Sequence, residues 1–295
     1  MRDLMFRPDL MKGMRILVAG GGTGIGEAMA DAYATLGASV YLAGRRAEVV
    51  ERTAARLEAE TGSYARGFAC DVRDPDQVRS LVERCWQDGG PIHGLMNSAA
   101  GNFISRTEDL SPNAFNAITD IAFRGAFYLT QECGKRWIAE GVRGTVVSVL
   151  ASWIWNGGPF AVPAAMAKGG IEIMSKSLAS EWGKHGIRLH TIAPGIFKTE
   201  GSQTRLDPLV KHGWNPCGNP LGRLGELSEL ANAGVFLMAP GCEFMNGQAI
   251  AVDGGAWLAN GGNFMALSDV DDEGWKGIKD YARGATDAQK SERSV

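Results

Sequence analysis

Apolar residues fall along this chain in two alternating rhythms. Short aliphatic and β-branched runs give way to longer stretches whose apolar positions recur every three or four residues. Such alternation is the pattern of a parallel sheet covered by helices on both faces. The runs predict seven strands, at Met14–Ala19, Ser39–Ala43, Tyr64–Ala69, Ile92–Asn97, Gly144–Leu150, Ile187–Ala193 and Gln248–Val252. The clearest helix is Pro163–Trp182, in which Ile171, Met174, Leu178 and Trp182 define one buried stripe. Pro163 suits its first turn, where a missing N–H is no loss, and Gly183 and Gly186 stop it. No linker, repeat or low-complexity tract interrupts the pattern before a polar tail from Ala266 onward. The expectation is a single α/β domain over residues 1–265, with residues 266–295 as a C-terminal extension.

Composition narrows the function. With 45% hydrophobic and 21% charged residues the chain can build a large core, which excludes a disordered or fibrous role. Thirty Lys and Arg against 33 Asp and Glu give a net charge of −3, no reason to bind a nucleic-acid backbone or an anionic membrane. No apolar stretch is long enough to span a bilayer, and charges at Arg2, Asp3, Arg7, Asp9 and Lys12 argue against a signal peptide. The ending Arg293-Ser294-Val295 matches no peroxisomal address. The five cysteines are scattered without a CxxC pair, so neither a disulfide scaffold nor a metal site is expected, and a reducing cytoplasm fits. Forty glycines without a Gly-X-Y period point instead to many close backbone approaches.

The first of these lies in Ile16-Leu17-Val18-Ala19-Gly20-Gly21-Gly22-Thr23-Gly24-Ile25-Gly26, between an apolar strand and a helix that ends near Leu36-Gly37. Residues without Cβ atoms let the backbone approach a pyrophosphate, and the helix N-terminus favours the anion. Gly20, Gly22, Thr23, Gly24, Ile25 and Gly26 are therefore candidate cofactor contacts in a Rossmann-type, doubly wound sheet. After the second strand, where a carboxylate would select NAD by holding the ribose 2′-hydroxyl, the chain reads Ala43-Gly44-Arg45-Arg46. Two guanidiniums there suit a 2′-phosphate, so NADP(H) is the expected cofactor. The alternative for Arg45 and Arg46 is simple solvation of the next helix. Asp71-Val72 and Asn97-Ser98-Ala99-Ala100-Gly101, at the carboxyl ends of the third and fourth strands, would flank the adenine and its ribose.

The glycine pattern, the Asn97 loop, Lys168, and Pro194-Gly195 with Thr199 together resemble the short-chain dehydrogenase/reductase family over essentially the whole chain. Ala99 to Ser105, Leu110 to Phe115 and Ser175 to Lys184 look like its 2,4-dienoyl-CoA reductase branch. The resemblance implies NADPH-dependent reduction of a conjugated acyl-CoA thioester in fatty-acid or side-chain degradation, with hydride added to the far end of the diene and a proton to the resulting dienolate. It also implies a homotetramer. The departures are equally clear. Most members use Asn, Ser, Tyr and Lys, but here Lys168 alone is kept; the other positions are Ala122, Ala151 and Ala164. The upstream Tyr of mitochondrial-type dienoyl-CoA reductases is Trp153, and Tyr33, Tyr41, Tyr64, Tyr128 and Tyr281 lie on other segments. Peroxisomal-type dienoyl-CoA reductases also lack this Tyr.

By this resemblance Lys168 reaches the nicotinamide ribose, Asn102 donates to the thioester oxygen, and Pro194, Gly195 and Thr199 fix the carboxamide. An oxyanion donor of this kind contributes about 2.7–4 kcal/mol. Trp153 carries an indole N–H that can donate without giving up its proton, so it can stabilise an enolate while Ser152 or water supplies the proton. Its alternative is a wall of an apolar acyl pocket with Trp155 and Phe160. Asp120 is a reserve acid, more simply a helix-pairing carboxylate. Residues 200–226 read as a substrate lid, whose Arg205 and Lys211 join Lys198 as candidates for the coenzyme A phosphates. Two other functions stay open: a carbonyl or alcohol oxidoreductase, which ordinarily needs the missing Tyr as acid, and a non-catalytic NADP-binding protein.

Overall fold

The computed structural model describes residues 4–101, 105–199, 215, 217–260, 271–274 and 276–277. Two compact units divide the chain, Met1–Trp257 and Leu258–Val295. The first carries a seven-stranded parallel sheet in the order β3-β2-β1-β4-β5-β6-β7. Its strands are β1 Arg15–Ala19, β2 Ser39–Gly44, β3 Ala65–Ala69, β4 Gly94–Asn97, β5 Thr145–Val149, β6 Arg188–Pro194 and β7 Ala249–Val252. All seven expected strands form. Their ends differ by a residue or two, most at β4, where Ile92 and His93 precede the ladder and His93 Nδ1 accepts the Arg15 N–H at 3.1 Å.

Strand residues are buried on both faces, as crossover helices require. Ile16, Val18, Val40 and Leu42 pack on one side with Met29 and Tyr33 of α1 (Gly24–Thr35). Leu17, Tyr41, Phe68 and Leu95 pack on the other with Leu81 and Val82 of α3 (Pro75–Gly89). Between these two helices runs α2 (Ala47–Thr61). Local chemistry sets the helix starts. Asp74 caps α3 by accepting from the Asp76 and Gln77 N–H groups, and Ser111 caps α4 (Pro112–Thr119) by accepting from Ala114. A π-helical turn at Asp120–Arg124 joins α4 to α5 (Gly125–Glu140). After β6, α7 (Leu227–Met238) begins with a reciprocal Glu226–Glu229 capping box.

The long helix α6 runs over Val162–Trp182 but differs from expectation in the face it buries. Its buried face is Ala164, Ala167, Lys168, Ile171, Glu172, Ser175 and Ala179, while Met174, Leu178 and Trp182 are only partly buried. Small residues bring the helix close to the sheet, and the two charged groups turn inward with them. The helix ends at Trp182 with Gly183 as its C-cap, as expected. Gly183 keeps right-handed angles, a 3-10 turn follows over Gly183–His185, and the reversal comes at Gly186 with φ +72°. That left-handed angle is one that glycine adopts without steric cost.

Candidate functional site

Strand order reverses between β1 and β4, and the loops leaving their carboxyl ends form the crevice where open α/β sheets bind ligands. The glycine loop occupies one wall. Gly20 sits at φ +76°, and a Cβ there would lie 2.8 Å from the Ala99 nitrogen, so β1 and β4 can leave the sheet side by side only with glycine at this position. A Cβ at Gly26 would overlap the Gly20 carbonyl oxygen, which explains the tight seating of α1 on the loop. Thr199, after β6, faces Gly24 across the crevice: its Cβ is 3.8 Å from where a side chain at Gly24 would begin. The segment between β6 and Thr199 is held by Gly195 N–H donating to Val252 at 2.9 Å and by an isolated bridge between Phe197 and Gly225.

Arg45 and Arg46 emerge exposed from the end of β2, and among the described residues neither makes an ion pair or hydrogen bond through its side chain. Other surface arginines are engaged: Arg56 with Glu27, Asp31 and Glu60, Arg79 with Asp76, Arg124 with Asp120. Asp71 is tied to Arg73, with Nε donating to both carboxylate oxygens at 2.9 Å. Those hydrogen bonds, with Arg45 nearby, hold its carboxyl below the usual range. Val72 packs against Gly125 where α5 begins. The crevice therefore offers a backbone cradle closed by glycine and two exposed guanidiniums with no hydrogen bond or direct ion pair among the described residues, features that fit a dinucleotide with a 2′-phosphate.

The Asn97 side chain turns inward. Its Nδ2 donates to Thr130 Oγ1 at 3.1 Å and Ser148 Oγ at 3.2 Å, bracing β4 against α5 and β5, and its Oδ1 is buried without a partner. It supports the crevice from below, while the following Ser98 and Ala99 carry the backbone along the rim.

Lys168 is 8% exposed, and its Nζ donates to the Val149 carbonyl oxygen at 2.5 Å. No carboxylate pairs with it among the described residues, and burial lowers its pKa to about 8. Ser152 follows the end of β5 by three residues, is buried, and has a hydroxyl with no partner among the described residues. It opens a 3-10 turn, Ser152–Trp155. The partly buried Trp153 ring lies on Gly158, where a Cβ would come within 2.6 Å of it, and its indole N–H has no partner among the described residues.

Trp155, named with Trp153 and Phe160 for an apolar pocket wall, has its polar edge engaged within the protein. Its Nε1–H donates to Glu172 Oε2 at 3.0 Å, and its ring meets Trp257 edge-on at 5.0 Å. Phe160 is 57% exposed at φ +62°, the one non-glycine residue with positive φ among those described. Asp120 pairs with Arg124 at 3.0 Å, the helix-pairing role. The described tyrosines lie elsewhere: Tyr33 and Tyr41 in the core, Tyr64 against Asp88, Tyr128 against Arg124. Ala122, Ala151 and Ala164 are all buried. Asn102, Arg205, Lys211, Tyr281 and the lid positions 200–214 and 216 lie outside the described residues; Lys198 is exposed.

Sequence reading missed Glu172. It is 9% exposed, one helical turn beyond Lys168 on the buried face of α6, and accepts from Lys176 Nζ at 2.6 Å as well as from Trp155. A carboxylate four residues after a functional lysine resembles an ordinary solvated pair; only its burial distinguishes it.

Residues 19–256 match the family model described as enoyl-(acyl carrier protein) reductase. The chain is 40% identical to a probable (3E)-enoyl-CoA-producing 2,4-dienoyl-CoA reductase of Caenorhabditis elegans, over 97% of this chain and 94% of that one. It is 34% identical to a probable (2E)-enoyl-CoA-producing 2,4-dienoyl-CoA reductase of Bacillus subtilis, over 84% and 98%. In structure it resembles a gluconate 5-dehydrogenase from Burkholderia cenocepacia, crystallised with NADP and tartrate, with a TM-score of 0.78 and 29% identity over 84% and 97% of the two chains.

Proposed function

The chain belongs to the short-chain dehydrogenase/reductase family, and within it we propose that the protein is an NADPH-dependent reductase of 2,4-dienoyl-CoA or a related unsaturated acyl-CoA thioester. The observation that carries this reading is a buried Lys168 beside the end of β5, in a crevice where Ala122, Ala151 and Ala164 replace the usual acid and its partners. Carbonyl reduction places full charge on an alkoxide and needs an acid at that oxygen. Addition to a conjugated thioester spreads the charge along a dienolate, which neutral donors stabilise and a water or hydroxyl can protonate at carbon. A site rich in donors and lacking a phenol suits the second reaction.

The glycine loop Gly20 to Gly26 and the Arg45-Arg46 pair would hold NADPH, with Asp71, Val72, Asn97 and Ala99 supporting the adenosine side, and Lys168, Pro194, Gly195 and Thr199 the nicotinamide side. When bound, the cofactor supplies the hydride for the far end of the diene. Lys168 orients the nicotinamide ribose and adds positive potential. Asn102 donates to the thioester oxygen, Trp153 donates an indole N–H to the developing negative charge, and Ser152 or an ordered water delivers the proton. Trp155 and Glu172 fix the turn that carries Ser152 and Trp153.

The lid over residues 200–226 would choose the acyl chain. Exposed Phe123, Phe127, Met166 and Ile173 supply an apolar surface suited to a homotetramer. The described cysteines are all unpaired, in keeping with a cytoplasmic setting. No helix among the described residues is long and apolar enough to cross a membrane. The test is NADPH consumption by the purified protein with a 2,4-dienoyl-CoA, against a simple ketone and against no acceptor. Turnover restricted to the thioester supports the reading, and ketone reduction overturns it.

A further inference from the structure

The other end of the sheet, where the strands begin, holds a cavity of about 350 Å³ whose polar lining includes His93, Arg143, Thr145, Arg188 and Glu243. Arg188 is 7% exposed at the start of β6. Its guanidinium meets only neutral groups: Nη1 donates to His190 Nε2 at 3.1 Å and to the Cys242 carbonyl at 3.4 Å, while Nη2 donates to Thr145 Oγ1 at 3.1 Å and to the Ala239 carbonyl at 3.5 Å. Among the described residues no carboxylate lies within ion-pair distance of it. The nearest acid, Glu243, acts on Arg188 only through space and is shared with Arg143, so the two cations are half balanced, and buried charge is costly unless neutralised.

The rest of the lining points the same way. Arg143 is exposed, makes no side-chain hydrogen bond or ion pair among the described residues, and lies across Gly186, where a Cβ would come within 3.0 Å of its Nε. His93 Nδ1 accepts the Arg15 N–H at 3.1 Å, which places the ring proton on Nε2, and that N–H has no partner among the described residues. Thr145 Oγ1 accepts from Arg188, leaving its own hydrogen free to donate. Glu243 is the single acid of the lining. Its carboxylate accepts from Gly241 N–H at 3.1 Å and makes no direct ion pair among the described residues, so two guanidiniums share one carboxylate through space. An adjoining depression adds Lys184 and His185.

We propose that this cavity is a binding site for a phosphoryl-type oxyanion, held by Arg143, His93 and Thr145, favoured by the charge of Arg188 and opposed by Glu243. It lies at the amino ends of the strands, across the sheet from the cofactor crevice, and does not depend on the reductase reading. The free guanidinium fork of Arg143, the Thr145 hydroxyl and the His93 Nε2–H match several oxygens of a phosphate, and Arg188, whose terminal N–H groups are engaged within the protein, adds positive charge behind them. The volume exceeds that of the bare ion and falls within the range of small-molecule sites, so a free phosphate and the phosphoryl group of a nucleotide are both admissible sources.

The experiment is calorimetric titration of the full-length protein, saturated with NADP to occupy the cofactor crevice, with sodium phosphate at constant ionic strength set by chloride. Saturable binding of about one phosphate per chain is expected. Arg143→Ala, an exposed position, weakens it by at least about tenfold, and Glu243→Gln tightens it several-fold by removing the opposing charge. The absence of saturable binding at millimolar phosphate, or equal affinity in all three proteins, overturns the proposal. A parallel titration with adenosine monophosphate identifies the source: tighter binding than phosphate assigns a phosphorylated metabolite, and equal or weaker binding assigns the free ion.

Discussion

Lys168 reaches from the first turns of α6 to the Val149 carbonyl at the end of β5, 2.5 Å away, and has no acid to balance its charge among the described residues. The same strand end leads directly to Ser152 and Trp153. This hydrogen bond ties the helix to the strand end from which the Ser152–Trp155 turn follows. It also makes the cofactor-free protein carry an unfavourable buried ammonium.

Lys168→Met should separate these roles. Burial lowers the lysine pKa from 10.5 to about 8, so charging it in the folded state is penalised below pH 8, and that penalty is relieved as pH rises toward 10.5. The full shift corresponds to roughly 3 kcal/mol. Less about 1 kcal/mol for the carbonyl left unpaired, the variant without cofactor should be more stable by about 2 kcal/mol at pH 7. The gain should fade between pH 8 and 10.5, while turnover falls at least about a hundredfold. Denaturant unfolding across that range checks it; a variant less stable at pH 7 contradicts the account.

Arg45→Ala and Arg46→Ala should each weaken NADPH binding about ten- to a hundredfold, the range for loss of a charge-assisted contact. NADH binding should change by less than about threefold. Cofactor titrations monitored by protein fluorescence measure both. Equal losses for the two nucleotides would mean that the arginines do not face a 2′-phosphate.

Trp153→Phe removes the indole N–H and keeps an aromatic ring over Gly158. We expect kcat to fall about tenfold or more, with the KM for NADPH unchanged. Unchanged turnover would leave Trp153 as a packing residue only.

Trp155→Phe breaks the 3.0 Å bond to Glu172 and should cost about 1–2 kcal/mol in unfolding free energy. Because Trp155 closes the turn opened by Ser152, kcat should drop more than KM rises. A purely structural contact would lower stability without that kinetic split.

The seven strands were readable from the chain because each depends on a local run of apolar residues, and the glycine cluster and the arginine pair stand at the strand ends where that reading put them. What escaped the sequence depends on which way a side chain turns. The stripe Ile171, Met174, Leu178 and Trp182 has regular helical spacing, yet α6 buries the neighbouring face of small residues with Lys168 and Glu172. Asn97 stands at a ligand-binding strand end but directs its amide to Thr130 and Ser148. Trp155, apolar by type, turns its polar edge to Glu172. Tertiary packing decides all three.

The most direct measurement follows NADPH absorbance with the full-length protein and a 2,4-dienoyl-CoA, with the acyl product identified by mass spectrometry and proton NMR. The account predicts saturable, thioester-dependent oxidation that yields an enoyl-CoA with two added hydrogens and far slower oxidation of NADH. Tight NADPH binding with no consumption, or consumption with a simple ketone instead, would contradict it.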